Sequence, residues 1–278
     1  MTQRFLAYIR ILRPLNFLFV FIAVLFGVYY KIQAFPLLYP VLAALAAALI
    51  SGGGYVINDY YDYSIDVINR NERVLPSGLI SKIVAKFYAL LLFTVGILIS
   101  IFIRNPWMIA LAILNTLLLY FYALKGKQLH FFGNLLVAFI TASTFIFGSF
   151  ITGNFSNAIF VALCAFFYTF IREIVKDIED KEGDSSTGSK TLPLIWGNKK
   201  TLIVAFLSWI GLLVVIIWAY PRYYTLTFLI IILISIVLLL LLDIVILYIT
   251  QNKKLIKFSE RYMKIHMLIF LVILWVAQ

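Results

Sequence analysis

Ten of the 12 acidic residues fall in two short windows. Asp59, Asp62, Asp66 and Glu72 occupy the first; Glu173, Asp177, Glu179, Asp180, Glu182 and Asp184 occupy the second. Both windows repeat one spacing, Asp at i, i+3 and i+7, as Asp59/Asp62/Asp66 and again as Asp177/Asp180/Asp184. On an α-helix these positions lie on one stripe. Like charges so placed repel, at about 0.2–0.5 kcal/mol per pair, so a cation is expected beside each stripe. Hard divalent cations take oxygen ligands, and Mg²⁺ prefers one or two carboxylates together with substrate phosphate oxygens. Two such triplets facing each other at a membrane surface would hold two or more Mg²⁺ ions, and through them a polyanion. Charge runs are usually solvated loops. That reading leaves unexplained why the spacing repeats and why each run starts at the end of a hydrophobic stretch.

Basic residues are interleaved with the acids. Arg70, Arg73, Lys125, Lys176 and Lys190 are of the types that bind phosphate. The implied ligand is a diphosphate whose remainder lies among apolar helices, and an isoprenyl diphosphate fits. The sequences after the triplets are also parallel. The first leads to Arg70, Arg73 and Pro76-Ser77-Gly78, the second to Ser186-Thr187-Gly188-Ser189-Lys190-Thr191-Leu192-Pro193. An internal repeat of about four helices accounts for this.

The elements that must position these groups are membrane helices. The 278 residues are 64% hydrophobic and only 13% charged, about half the charge of a soluble domain. Cys164 is the only cysteine, which excludes an intrachain disulfide and a cysteine-based zinc site. Runs long enough to cross a bilayer are expected at roughly 14–30, 36–57, 81–103, 106–123, 131–151, 156–172, 201–219, 223–249 and 262–277, nine in all, with the sixth continuing as helix past Arg172. The basic N-terminal start and apolar run lack a following small-residue cleavage site, so the segment reads as a retained first helix. With the N-terminus cytoplasmic, all of the 23 Lys and Arg except Lys31, Arg104 and Arg222 fall on the inner side, a strong positive-inside signal. Both acidic windows then lie in the two long inner connections, 58–80 and 173–200.

Asn58-Asp59-x-x-Asp62-x-x-x-Asp66, followed by Arg70 and Pro76-Ser77-Gly78, resembles the first motif of the UbiA-type intramembrane prenyltransferases. The run with Asp177, Asp180 and Asp184, and the later Thr191-Leu192-Pro193, resembles their second. Arg13-Pro14-Leu15-Asn16, and Tyr122-Ala123-Leu124-Lys125 before Gly133-Asn134, are similar to further family features. The resemblance covers the whole chain. It implies an all-α polytopic membrane protein of nine transmembrane helices in a bundle around a central cavity. The chain would be one domain, 1–278, of two pseudo-repeats (about 1–125 and 126–250) and a final helix, in the cell membrane with its active site facing the cytoplasm. The implied chemistry is ionisation of an allylic diphosphate, then attack by an acceptor on the carbocation. Asn58, Asp62 and Asp66, with Asp59 beside them, would bind one Mg²⁺; Asp177, Asp180 and Asp184 would bind the other. Arg70 and Lys125 would contact the diphosphate, joined by Arg73, Lys176 and Lys190. Asn16, Tyr122 and Asn134 would line the substrate site. Within the family, the stretch 172–184 most resembles the archaeal ether-lipid branch, which joins geranylgeranyl diphosphate to the free hydroxyl of geranylgeranylglyceryl phosphate. The phosphate of such an acceptor would need cations of its own, for which Arg13, Lys82, Lys86 and Lys264 are candidates.

Three other readings compete. An aromatic quinone precursor could replace the lipid acceptor. A cation-coupled transporter would carry its acids near the bilayer midplane, whereas these lie at one surface. A CDP-alcohol phosphotransferase would need an Asp-Gly-x-x-Ala-Arg element, which the sequence lacks. Among remaining residues, Asp243 lies in an apolar run and is either functional or paired with a polar neighbour. Gly52-Gly53-Gly54 either bends its helix or allows close packing. His130, His266 and Cys164 read as structural. The aromatic residues nearest the motifs (Tyr60, Tyr61, Tyr63, Tyr122, Phe166, Phe167, Tyr168) either pack the core or offer π faces to a carbocation.

Overall fold

The computed structural model describes residues 2–30, 36–129, 131–185, 188–220, 222 and 224–276, apart from the side chains of 2, 65, 68, 69 and 127. Lys31, His130, Ser186 and Thr187 lie outside the described residues, as does the side chain of Lys127.

The described residues form helices and no strands. In chain order these are α1 (Thr2–Ile11), α2 (Pro14–Tyr29), α3 (Leu38–Tyr61), α4 (Tyr63–Asn69), α5 (Lys82–Ile103), α6 (Pro106–Lys125), α7 (Phe131–Ser149) and α8 (Phe155–Ser185). They continue with α9 (Leu192–Ile195), α10 (Gly197–Ala219), α11 (Leu226–Ile232), a π-helical stretch (Leu233–Leu238), α12 (Leu239–Thr250) and α13 (Lys253–Val276). Seven helices are long and apolar enough to cross a bilayer: α3, α5, α6, α7, α8, α10, and α11 through α12 taken as one. The pair α1 and α2, bent by 47° at their break, counts as an eighth when the two are taken together as one span. The chain is therefore an all-helical, multi-pass membrane protein. The nine expected runs differ from this at the ends. The first corresponds to α2 alone, of 16 residues, and the last lies in α13, whose first half is strongly charged. The sixth continues as helix past Arg172 to Ser185, as the sequence predicts.

The chain divides into two compact units, Met1–Gly126 with Ser143–Ala158, and Lys127–Ala142 with Ile159–Gln278. In the first, α3 is the central helix and packs against α2, α5 and α6. Its buried face is built from Ala43, Ala44, Ala46, Ala48, Gly52, Gly53 and Gly54, small residues that let helix backbones approach where no hydrophobic force separates helix from lipid. The three glycines leave α3 unbroken, so close packing is their role. A Cβ on Gly53 would lie 3.1 Å from the Ala89 carbonyl oxygen and 2.8 Å from the Phe93 ring on α5. Within the same unit, Asn115 of α6 donates to Ser143 of α7 at 2.8 Å, satisfying two buried polar groups inside the membrane region.

In the second unit α10 packs against α12, and α12 against α13. The Trp209 indole donates to the Val237 carbonyl in the π-helical stretch at 2.7 Å, satisfying an acceptor there. Asp243 on α12 accepts a hydrogen bond from the Ser259 hydroxyl on α13, which is the paired, structural reading of that acid. His266 bonds the Ser235 carbonyl through Nε2 at 2.7 Å and Tyr168 through Nδ1 at 2.9 Å. A carbonyl only accepts, so Nε2 carries a proton. Tyr168 is fully buried and belongs to this packing. Cys164 is a buried free thiol.

Candidate active site

The first acidic motif straddles a helix break. The sequence places its three Asp residues on one helical stripe. In the structure α3 ends at Tyr61, Asp62 has φ −79° and ψ 2°, and α4 starts at Tyr63. Asp59 is thus in the last turn of α3, Asp62 at the junction and Asp66 within α4. Repulsion between the carboxylates is relieved by arginines from elsewhere in the unit. Arg73 Nη1 lies 2.7 Å from Asp66 Oδ2 and 3.4 Å from Asp59 Oδ1. Arg13 Nη2 donates to the same Asp59 oxygen at 2.7 Å, and its guanidinium lies 4.9 Å from the Tyr55 ring centroid. Asn58 Nδ2 donates to Asp62 Oδ2 at 2.8 Å.

Arg13 is held in the left-handed region, φ 54° and ψ 73°, between α1 and Pro14. Pro14 disfavours the right-handed helical conformation at the residue before it, and a non-glycine residue at positive φ costs on the order of 1–2 kcal/mol. The ion pair with Asp59 offsets part of that cost. Asp59 and Asp66 are 7% and 4% exposed. Burial pushes the Asp66 carboxyl up from its ordinary value, and Arg73 only partly offsets this. Burial also works against the charge on Arg73, but Asp59 and Asp66 outweigh it and push its pKa up.

The second motif rides on an unbroken helix. Asp177, Asp180 and Asp184 are half-buried on the extension of α8. Asn134, near the start of α7, donates from Nδ2 to Asp177 Oδ2 at 2.7 Å and so fixes that carboxylate. One turn earlier, Glu173 is 3% exposed. It is bound by Arg172 and by Lys176 Nζ, the latter at 3.1 Å. Arg172 also reaches Glu260 on α13 at 3.0 Å, and Lys264 bonds Glu260 at 2.7 Å. This chain of charges docks α13 beside the second motif. Glu173, Glu260 and the Arg13–Asp59 pair are contributions that sequence reasoning did not assign. The spacings Glu173/Lys176, i and i+3, and Glu260/Lys264, i and i+4, were local signals for two of them.

The other expected residues lie outside the two motif helices or at their ends. Arg70 follows α4 and is exposed; Lys125 ends α6 and is exposed; Lys190 is exposed just before α9. Tyr122 on α6 and Asn16 in the first turn of α2 are half-buried. Tyr61 and Tyr120 join their hydroxyls at 3.0 Å.

Among the described residues no three His, Cys, Asp or Glu side chains are gathered closely enough to hold a metal by themselves. Mg²⁺ takes water and phosphate oxygens as well as carboxylates, so it does not require an all-protein cage. Asp59 and Asp66 already converge on one cationic centre, Arg73. Their oxygens are hard donors, so the residues fit this ion.

The sequence profile of the UbiA prenyltransferase family matches residues 13–268. The digeranylgeranylglyceryl phosphate synthase of Methanosphaera stadtmanae is 39% identical over 276 residues, covering 95% of this chain and 96% of its own. A solved structure from work on digeranylgeranylglyceryl phosphate synthase in membranes superposes with a TM-score of 0.83 at 30% identity, over 99% of this chain and 98% of that one. A UbiA homologue from Archaeoglobus fulgidus, solved with GPP and Mg²⁺, shares the fold at a TM-score of 0.71 and 18% identity, over 97% and 98% of the two chains. With both acidic motifs on the helices described and a profile match spanning nearly the full length, the chain belongs to the UbiA prenyltransferase family.

Proposed function

We propose that the protein transfers a geranylgeranyl group from geranylgeranyl diphosphate to the hydroxyl of geranylgeranylglyceryl phosphate, an Mg²⁺-dependent step of membrane ether-lipid synthesis. The observation that carries this is the near-full-length likeness to a chain named for that synthase. The convergence of Asp59 and Asp66 on one cation supports the metal dependence. The allylic C–O bond breaks and its electron pair leaves with the diphosphate. The acceptor hydroxyl oxygen then forms the ether bond and releases its proton.

Asn58, Asp59, Asp62 and Asp66 hold Mg²⁺ at the first motif, and Asp177, Asp180 and Asp184 at the second. When bound, Mg²⁺ supplies positive charge to the departing diphosphate. Asn134 orients Asp177. Arg70, Lys125 and Lys190 bind phosphate oxygens, and their exposure leaves them able to do so. Arg73 neutralises Asp59 and Asp66, and Lys176 is paired with Glu173 beside the second motif; both are of the types that bind phosphate. Tyr122 and Asn16 line the substrate site. We place the N-terminus and both motifs on the cytoplasmic side, with α2 and α13 completing nine spans in one domain of two pseudo-repeats; the distribution of Lys and Arg supports this.

The test is purified protein with Mg²⁺, labelled geranylgeranyl diphosphate and a panel of acceptors. Labelled ether product from geranylgeranylglyceryl phosphate is expected. If an aromatic acid or phenol is prenylated and the lipid phosphate is left untouched, the acceptor assignment is wrong.

A further inference from the structure

Of the four inner-side cations that could take an acceptor phosphate, two are already engaged by carboxylates: Arg13 by Asp59 and Lys264 by Glu260. Lys82 and Lys86 are different. They stand one turn apart on α5, and no carboxylate among the described residues pairs with either. Both are drawn instead to one aromatic face. Lys82 Nζ lies 4.7 Å from the Tyr60 ring centroid and 5.4 Å from that of Tyr63, and Lys86 Nζ lies 5.7 Å from Tyr60. Like charges at i and i+4 repel, and a ring quadrupole is a weak counter-charge. A pair held together in this way, without an acid, is prepared for an anion. Lys82 is also the first residue of α5, where the helix dipole adds positive character. Tyr60 and Tyr63 flank Asp59 and Asp62 in the first motif, so the pair borders that motif within one unit.

We infer that Lys82 and Lys86, held over Tyr60, bind the phosphate monoester of the lipid acceptor and make the enzyme select a phosphorylated glycerol lipid. This rests on the lipid-phosphate reading of the function. The aromatic face positions both ammonium groups while leaving their N–H donors for phosphate oxygens. The same chemistry would also attract the headgroup of a bulk anionic lipid, which the test separates.

The experiment uses the full chain in discs of neutral lipid, with geranylgeranylglyceryl phosphate and the same lipid lacking its phosphate as acceptors. Wild type is compared with a Lys82→Gln/Lys86→Gln variant and a Lys82→Arg/Lys86→Arg variant. The glutamine variant should lower kcat/KM for the phosphorylated acceptor about tenfold or more, mainly by raising its KM. It should leave the unphosphorylated acceptor and the KM for geranylgeranyl diphosphate nearly unchanged, and the arginine variant should restore the preference. Equal losses on both acceptors, or no loss on either, would overturn the assignment. So would a loss seen only in discs doped with phosphatidylglycerol, since the pair would then be reading bulk lipid. Wild-type enzyme inert toward both lipids would overturn the parent reading as well, a result distinct from a wild type that turns over the phosphorylated acceptor with no dependence on Lys82 and Lys86.

Discussion

Arg73 places its guanidinium 2.7 Å from the carboxylate of Asp66, which is only 4% exposed. A carboxylate so buried needs a counter-charge, and breaking such a pair costs about 3 kcal/mol. Arg73→Ala should therefore lower the melting temperature in metal-free buffer. Millimolar Mg²⁺ should restore more of the loss than it adds to wild type, because the metal takes over the counter-charge. Thermal unfolding in detergent with and without Mg²⁺ measures this. Equal melting temperatures in all four conditions would show that Asp66 needs no cation.

Metal removal should abolish turnover. On the proposed reading Mg²⁺ would be bound by a few carboxylates together with substrate phosphate oxygens, an open site that a chelator strips. Treatment with a chelator should bring prenyl transfer to background, and added Mg²⁺ should return it. Full turnover in metal-free buffer would refute the divalent-ion role of both motifs.

Single carboxylates of the two motifs should matter far more than the acid elsewhere on α12. Asp62→Ala and Asp180→Ala should each reduce kcat by about a hundredfold or more while leaving expression and melting temperature close to wild type. Asp243→Asn should keep most of the activity, since Asp243 is bonded to Ser259. Near-wild-type rates in both motif variants would make the acidic runs solvated loops.

Asn134→Leu should lower activity without unfolding the protein. It removes the 2.7 Å hydrogen bond that fixes Asp177 and leaves that carboxylate free to rotate. A fall in kcat of about tenfold is expected, with Asn134→Gln intermediate. Should the leucine variant instead match wild type in steady-state assays, Asn134 has no positioning role.

Features set by local chemistry were legible in the sequence. Apolar runs marked α3, α5, α6, α7 and α10 to within a few residues, because a bilayer demands length and hydrophobicity whatever the neighbours do. The extension of α8 was legible too, since stretch 173–185 contains no proline and its acids keep helical spacing. The paired triplets pointed to divalent-cation chemistry, because closely spaced carboxylates call for a counter-charge. Tertiary structure decided how those charges are balanced. Asp59 and Asp66, on either side of the break at Asp62, meet on the one guanidinium of Arg73. Arg13 meets Asp59 across 46 residues, Asn134 meets Asp177 across 43, and Arg172 meets Glu260 across 88. No periodicity encodes such pairings. They follow from which helices pack side by side, and only that packing shows Arg13 and Lys264 engaged by carboxylates while Lys82 and Lys86 rest on a tyrosine ring.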